Sequence, residues 1–249
     1  MLDDTQIGGP AGRFPVTRGS LLAAARSSDS DERQRALGTL IAAYWKPVYK
    51  YIRLRWQKDN DGAKDLTQEF FVRLLEKDFL DSYDPARARL RTFLRVCVDR
   101  FISNQEKAAQ RQKRGSNQQI LSLDFETAEG ELRQVEIPSP ENMDDFFAHE
   151  WARSVFSLAV KRLQDECFAH GKHIHFQLFQ LYDIEEGGKE LTYAQVAERF
   201  GIKPSDATNY LAYARREFRR IVLDQLREMT ASEEEFRREA RGLLGVEVS

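Results

Sequence analysis

Residues 191–211 read LTYAQVAERFGIKPSDATNYL, which is the most specific local pattern in the sequence. Thr192 is followed three residues later by Gln195, which is the spacing of a capping box at the start of a helix. Gly201 can take the positive φ angle of a helix end. Pro204 suits the first turn of the next helix, since its missing N–H is no loss there. The stretch therefore predicts a helix, a tight turn and a short second helix, which together make a helix-turn-helix.

The second helix of this motif presents small and apolar side chains inward, namely Ala207, Leu211 and Ala214. Polar residues near its N-terminal end are what a reader of the DNA major groove requires, and arginines further along are placed for phosphates. A generic helical hairpin with a solvated basic face is the alternative interpretation. The candidate DNA contacts of the motif are Ser205, Asp206, Thr208, Asn209, Tyr213, Arg215, Arg216 and Arg219.

Helical periodicity also covers most of the remaining chain. Between residues 31 and 113 apolar residues recur at three- and four-residue spacing, as at Leu37, Leu40 and Tyr44, and the pattern resumes at Phe147 and Trp151. No strand-like alternation of useful length is present, so we predict an all-α fold. We expect two helical modules joined by an acidic linker and flanked by extensions: residues 1–30 (N-terminal extension), 31–114 (first module), 115–145 (linker), 146–230 (second module) and 231–249 (C-terminal extension with a short amphipathic helix).

Charge is strongly segregated along the chain, although the formal net charge is only -2. Residues 87–114 hold nine basic residues against two acidic ones, a net of +7, whereas residues 124–150 hold nine acidic residues against one basic, a net of -8. Residues 203–220 hold five basic residues against two acidic ones, a net of +3. Local charge decides phosphate binding, because salt confines surface electrostatics to roughly 8–10 Å. The pattern predicts two basic modules separated by an acidic segment.

Composition excludes several classes of protein. Charged residues make up 31% of the chain and apolar stretches are short, so we expect no membrane span and no export signal. Cys97 and Cys167 lie far apart, and reduced thiols in a cytoplasmic protein are the plain interpretation. Neither a phosphate-cradling glycine loop nor a nucleophile motif is present, so we predict no enzymatic activity and no cofactor.

One short segment of the chain carries a cluster of potential metal ligands. Cys167, His170, His173 and His175 fall within ten residues, but their spacing matches no standard zinc knuckle. The interpretation favoured over zinc is a loop that connects two helices.

A family resemblance rests first on residues 65–71, DLTQEFF. This heptapeptide resembles the Asp-Leu-Thr-Gln-Glu-x-Phe signature of the extracytoplasmic-function group of bacterial sigma factors. In that family the helix docks on the clamp helices of the RNA polymerase β′ subunit. With Leu66, Phe70 and Leu74 turned inward, an acidic face with one central valine points outward, which suits a basic coiled-coil partner. The candidate polymerase contacts are Asp65, Gln68, Glu69, Val72 and Glu76.

The next helical segment resembles the promoter-melting segment of the same family. Arginines are interleaved with aromatic residues there, and both are suited to holding a separated DNA strand and its unstacked bases. The family commonly has tryptophan where this chain has Phe93. By resemblance, the candidate contacts to the minus-10 element are Arg87, Arg89, Arg91, Arg95, Arg100, Asn104, Arg111 and Arg114.

The resemblance covers roughly residues 14–225, and the helix-turn-helix corresponds to the family's region 4, which reads the minus-35 element. This chain departs from the family in its recognition helix, where Thr208, Tyr210 and Tyr213 stand at positions usually held by Lys or Arg. Family linkers run through the active-centre cleft of the polymerase, so the acidic linker is a candidate occupant of a nucleic-acid channel. A solubilising tether is the alternative interpretation.

The resemblance implies a sigma factor that binds core RNA polymerase through its β′ and β subunits, recognises promoter DNA and promotes its opening. An anti-sigma factor or another regulator is a possible further partner. Two alternatives stay open: a stand-alone helix-turn-helix regulator, and a non-DNA-binding adaptor with a sigma-like fold.

Overall fold

Helices make up nearly all of the regular structure. The computed structural model describes residues 24, 25, 27, 29–76, 79–109, 121–135, 137–185 and 191–245. Within these ranges there are nine α-helices and no β-strand, which confirms the all-α prediction. The helices are α1 (Ser30–Arg55), α2 (Asn60–Leu74), α3 (Leu90–Ala109), α4 (Phe125–Leu132), α5 (Met143–Ala169), α6 (His173–Phe179), α7 (Tyr193–Phe200), α8 (Pro204–Met229) and α9 (Glu233–Leu244).

The first two helices begin at aspartate caps. The Asp29 carboxylate accepts hydrogen bonds from the backbone N–H groups of Asp31 and Glu32 at the start of α1, and Asp59 caps α2 through the Gly62 N–H. Each cap satisfies donors that the first turn of a helix leaves unpaired. Residues 56–59 separate the two helices, and α1 and α2 pack against each other.

Helix α5 connects the two halves of the molecule. Its first half packs on α1, where Trp151 stacks on Tyr44 at 6.2 Å between ring centroids. Its second half packs on α8, where Phe156 lies 6.0 Å from Phe218. The buried apolar residues form one continuous cluster along this helix. The division into two modules therefore stays a prediction, because the core runs through α5 without a break.

The acidic segment predicted as a linker contains the docked helix α4. Phe125 is buried and meets Trp45 edge-on at 5.5 Å between ring centroids. Glu131 bonds Lys46 at 2.5 Å and Lys50 at 2.7 Å, so part of the acidic charge is neutralised by α1. Residues 125–132 are thus a packed element of the fold inside the segment predicted as a linker.

Helices α7 and α8 follow the pattern predicted for residues 191–211. The Thr192–Gln195 capping box is present, Gly201 has a φ of 64°, and Pro204 is the first residue of α8. The Ile202 N–H donates to the Ala197 carbonyl at 2.9 Å and closes the end of α7. These local predictions are confirmed. The second helix is not short, however, since α8 continues for 26 residues to Met229.

The chain then turns back, and α9 packs against α8. Ser232 caps α9 by accepting a hydrogen bond from the Glu235 N–H at 3.1 Å, and the helix ends at Gly245, which has a φ of 64°. Among the described residues, none of the helices is both long enough and apolar enough to cross a membrane.

Candidate functional site

The predicted polymerase-binding face lies along α2. Phe70 and Leu74 are fully buried as predicted, together with Thr67 and Phe71, whereas Leu66 is only partly buried. The Thr67 hydroxyl donates to the Ala63 carbonyl at 2.7 Å, which holds this polar side chain inside the core. The opposite side of the helix is left to solvent.

The outward side of α2 carries four of the five predicted polymerase contacts. Asp65 is exposed, while Gln68 and Val72 are partly exposed. Glu69 is partly tied down, because it bonds Arg73 at 3.3 Å and accepts a hydrogen bond from Gln105 of α3. Glu76 is exposed but lies beyond Leu74, where α2 ends, so it does not continue the helical row as predicted. The face is a short acidic surface around one valine.

Arg89, which directly precedes α3, and Arg91 in its first turn meet the C-terminal helix. Arg91 bonds Glu239 of α9 at 2.8 Å, and Arg89 approaches the same carboxylate at 3.6 Å. Arg91 also stands 5.1 Å above the centre of the Trp151 ring, a cation–π contact. Burial lowers the pKa of Arg91. Two predicted DNA contacts are thus paired with a carboxylate of the protein itself, Arg91 largely buried and Arg89 partly exposed.

Arg95 is held by acidic residues one turn further along α3. Its guanidinium bonds Asp99 at 2.9 Å and Asp144 of α5 at 3.0 Å. The same Asp99 carboxylate accepts hydrogen bonds from Tyr51 at 3.1 Å and from the Trp56 indole at 3.0 Å. Arg95 therefore takes part in a network that joins α1, α3 and α5.

The other predicted minus-10 contacts differ in their exposure. Arg87, Arg100 and Asn104 are exposed, and Arg87 approaches Asp84 at 3.3 Å. Phe93 is only partly buried and packs on Tyr83 with 5.1 Å between ring centroids. Arg111 and Arg114 lie outside the residues that the structure describes.

The first turns of α8 present the polar surface predicted for the recognition helix. Ser205, Thr208 and Asn209 are exposed, while Asp206 is partly buried. The Thr208 hydroxyl donates to the Pro204 carbonyl at 3.2 Å, so its methyl group is left for contact with a partner. Residues 204–214 contain no Lys or Arg.

An aromatic and cationic cluster adjoins this surface. His175 stacks on Tyr210 with 4.0 Å between ring centroids, and the Lys172 ammonium lies 3.8 Å from the centre of the Tyr213 ring. The Arg216 guanidinium also lies over the Tyr213 ring, 5.3 Å from its centre. Burial and the nearby charge of Lys172 lower the pKa of His175, which favours its neutral form. Tyr213 is thus a packed ring with positive charge on its faces.

The arginines further along α8 are unequally available. Arg215, Arg216 and Arg219 are all exposed, but Arg215 makes a two-pronged pair with Asp183, both bonds at 2.9 Å, and Arg216 approaches Glu217 at 3.5 Å. Arg220 bonds the carboxylates of Glu166, Glu217 and Asp224 at 2.5 to 2.9 Å. A shallow groove of about 340 Å³ lies between α8 and α9 and is lined by Arg216, Arg219, Arg220, Leu223, Asp224, Arg227 and Phe236.

Sequence reasoning missed two acidic residues of α9 that meet the start of α3: Glu239, which pairs with Arg89 and Arg91, and Glu235, which bonds the Leu90 N–H. Glu235 and Glu239 are only 2% and 3% exposed, and both lie on the buried side of α9 beside Phe236. Their i, i+4 spacing puts two carboxylates on the same side of a helix as its apolar residues. That placement is unusual for charged residues and is the signal that could have indicated a buried ion pair.

The cysteine and histidine cluster does not converge on one point. The His170 Nδ1–H donates to the Glu166 carbonyl at 2.7 Å, while His173 packs against Phe168 and His175 against Tyr210. Among the described residues, no group of three or more His, Cys, Asp or Glu side chains is arranged to hold a metal ion. Comparisons with protein-family models, with curated proteins and with solved structures gave no match to this chain.

Proposed function

We propose that this protein is a sigma factor of the extracytoplasmic-function type, a promoter-specificity subunit of bacterial RNA polymerase. The observation that carries the proposal is the arrangement of the DLTQEFF segment, in which α2 buries Thr67, Phe70 and Phe71 and leaves Asp65 and Val72 outward. That arrangement suits a helix that docks on a basic partner around a single apolar contact. Under this proposal the protein performs no chemistry itself and no cofactor takes part.

The docking step follows from the charge of the α2 face. Asp65 and Glu69 would steer the helix toward basic residues of the clamp helices in the β′ subunit, and Val72 would be buried at the centre of the contact. Charges at the rim of an interface mainly raise the rate of association and its specificity. The apolar side chain at the centre supplies affinity because its surface is removed from water on binding.

Promoter recognition would involve both basic regions. The exposed Arg87 and Arg100 are available to neutralise phosphates, and Asn104 can bond a base edge near the minus-10 element. The start of α8 would enter the major groove at the minus-35 element through Ser205, Thr208 and Asn209, with Arg216 and Arg219 on the backbone.

The test is reconstitution with core RNA polymerase from the source bacterium. We expect a stable complex and promoter-specific initiation on genomic DNA fragments, neither of which core enzyme gives alone. Asp65→Arg should weaken the complex by about tenfold or more, because it replaces an attractive rim charge with a repulsive one. Asp165→Arg, the same change on the exposed side of α5, is the matched control and should bind as wild type. A wild-type protein that fails to bind core enzyme would refute the proposal.

A second candidate is an adaptor that binds polymerase without binding DNA. Two observations favour it: Arg89, Arg91 and Arg95 all have carboxylate partners within the protein, and residues 204–214 lack basic side chains. Such an adaptor would bind core enzyme but would open no promoter. A stand-alone helix-turn-helix regulator would instead bind a defined DNA site without core enzyme, so the same reconstitution separates all three.

A further inference from the structure

The C-terminal helix α9 covers the start of the arginine-rich helix α3 with two buried carboxylates. Glu235 accepts hydrogen bonds from the Leu90 N–H at 2.8 Å and from the Tyr83 hydroxyl at 3.2 Å. Glu239 lies one turn later and bonds Arg91 at 2.8 Å. The first carboxylate therefore caps the backbone of α3, while the second neutralises its side chains.

Helix α9 is attached mainly to α8 through apolar contacts. Phe236 is 1% exposed and Ala240 is fully buried, both within the cluster that includes Met229 at the end of α8. The Arg227 guanidinium lies 4.4 Å from the centre of the Phe236 ring. Helix α9 thus belongs to the second half of the molecule and reaches the first half through its carboxylates.

The ionic part of this contact is exchangeable. Burial raises the pKa of Glu239, opposed by the charges of Arg91 and Arg89, so its carboxylate is held at a desolvation cost. A buried ion pair gains little net free energy when that cost is included. A phosphate group offers the same arginines a comparable or better acceptor, since guanidinium groups bind phosphate oxygens in two-pronged fashion.

Arg91 has a second contact that does not depend on its carboxylate partner. Its guanidinium lies over the Trp151 ring at 5.1 Å, and Trp151 is itself buried in the core at 2% exposure. Trp151 belongs to α5, so the ring stays in place if α9 detaches. A guanidinium fixed in this way is a prepared anion site, because little side-chain entropy is lost when a ligand binds.

We propose that Arg89 and Arg91 form a binding site for the phosphate backbone of DNA, and that Glu239 of α9 occupies this site in the free protein. The carboxylate takes the place of a phosphate, so the C-terminal helix lowers the affinity of the chain for DNA until DNA displaces it. This inference rests on the proposed function, under which α3 holds DNA. It adds that Glu239 occupies the phosphate site in the free protein and competes with DNA for it.

The test measures binding of fluorescently labelled single-stranded DNA to the full chain without polymerase. Glu239→Gln keeps the shape of the side chain and removes its charge, and we expect it to tighten DNA binding by about fivefold to tenfold. The affinity of the variant should also fall more steeply with salt, as expected when additional phosphates are contacted. Glu234→Gln removes an equal charge from the exposed side of α9 and should bind as wild type.

The double variant Glu239→Gln with Arg91→Ala should lose the gain, because the site itself is then missing. Hydrogen exchange on the wild-type chain gives an independent measurement that needs no variant. Residues 233–244 should exchange faster when DNA is added. Unchanged DNA affinity in Glu239→Gln, or unchanged exchange in α9 on DNA binding, would overturn the inference. Neither assay contains core enzyme. A failure of the polymerase proposal would therefore appear only in the reconstitution experiment and would not be confused with a failure of this inference.

Discussion

The outward face of α2 and the start of α3 carry the two sequence patterns that most strongly indicate function. The first is open to solvent, whereas the second is covered by other parts of the protein. On α2 the side chains predicted to meet a partner point to solvent, with Asp65 exposed and only Glu69 tied to neighbouring side chains. On α3, Arg91 and Arg95 are paired with carboxylates from other helices. The helical pattern of a sequence thus predicts which side chains point away from the helix's own core contacts. It does not predict which other elements of the protein pack over those side chains.

The largest expected effect on stability concerns the buried side of α2, which packs beneath its outward face. Phe70→Ala removes a fully buried ring that contacts Phe71, Phe79 and Phe101, and we expect it to lower the free energy of unfolding by about 3–5 kcal/mol. Val72→Ala on the outward side should cost less than about 1 kcal/mol. Denaturant unfolding of both variants measures the difference. Equal losses would show that Val72 belongs to the core and not to a surface.

The second prediction contrasts two arginines on α3. Arg91→Ala leaves Glu239 buried without its closest cation, so we expect a loss of about 2–3 kcal/mol in the free energy of unfolding. Arg100 is exposed, and Arg100→Ala should change stability by about 0.5 kcal/mol at most. Thermal or denaturant unfolding distinguishes the two. A silent Arg91→Ala would mean that the ion pair with α9 contributes nothing to the fold.

The third prediction concerns the acidic helix α4. Hydrogen bonds from Arg53, opposed by burial and assisted by a hydrogen bond from Tyr49, lower the pKa of Glu129 from 4.5 to about 2. Because the folded state holds the carboxylate charged, its contribution to stability is complete above the ordinary pKa and is lost as the pH falls through the folded value. We expect Glu129→Gln to cost about 1–2 kcal/mol at neutral pH and to lose less stability than wild type between pH 4.5 and 2. Parallel pH dependence in both proteins would contradict the assignment.

The smallest effect separates two glycines. Gly201 has a φ of 64° and open space around it, so Gly201→Ala should cost about 1–2 kcal/mol through backbone strain alone. Gly38 lies inside α1, also with open space, and Gly38→Ala should stabilise the protein by about 0.5–1 kcal/mol. Unfolding measurements of opposite sign support the turn geometry of the helix-turn-helix. Destabilisation by Gly38→Ala would instead indicate an unrecognised contact on α1.

Local features of the sequence predicted local structure well. The capping box at Thr192, the turn at Gly201 and the helix start at Pro204 depend on neighbouring residues, and all three are present. The length of α8 was also open to prediction, because residues 205–229 contain neither Gly nor Pro to end the helix. The burial of Phe70 and Leu74 was predicted by their helical spacing, which also depends only on nearby residues.

Long-range pairing could not be predicted from the sequence. Helix α4 docks because Glu129 and Glu131 meet Arg53, Lys46 and Lys50 on α1, about eighty positions earlier in the chain. The cover over Arg91 comes from Glu239, which is still further away in sequence. No periodic pattern specifies such a partner, since many acidic residues would satisfy the same arginine equally well.

The most direct test of the central claim is the affinity of the full chain for core RNA polymerase, measured with wild type, Val72→Glu and Asp165→Arg. The account predicts tight binding by wild type and Asp165→Arg, and a loss of about tenfold or more in Val72→Glu, because a charge would then be buried at the centre of the contact. Equal affinity in all three proteins, or no binding by wild type, would contradict it.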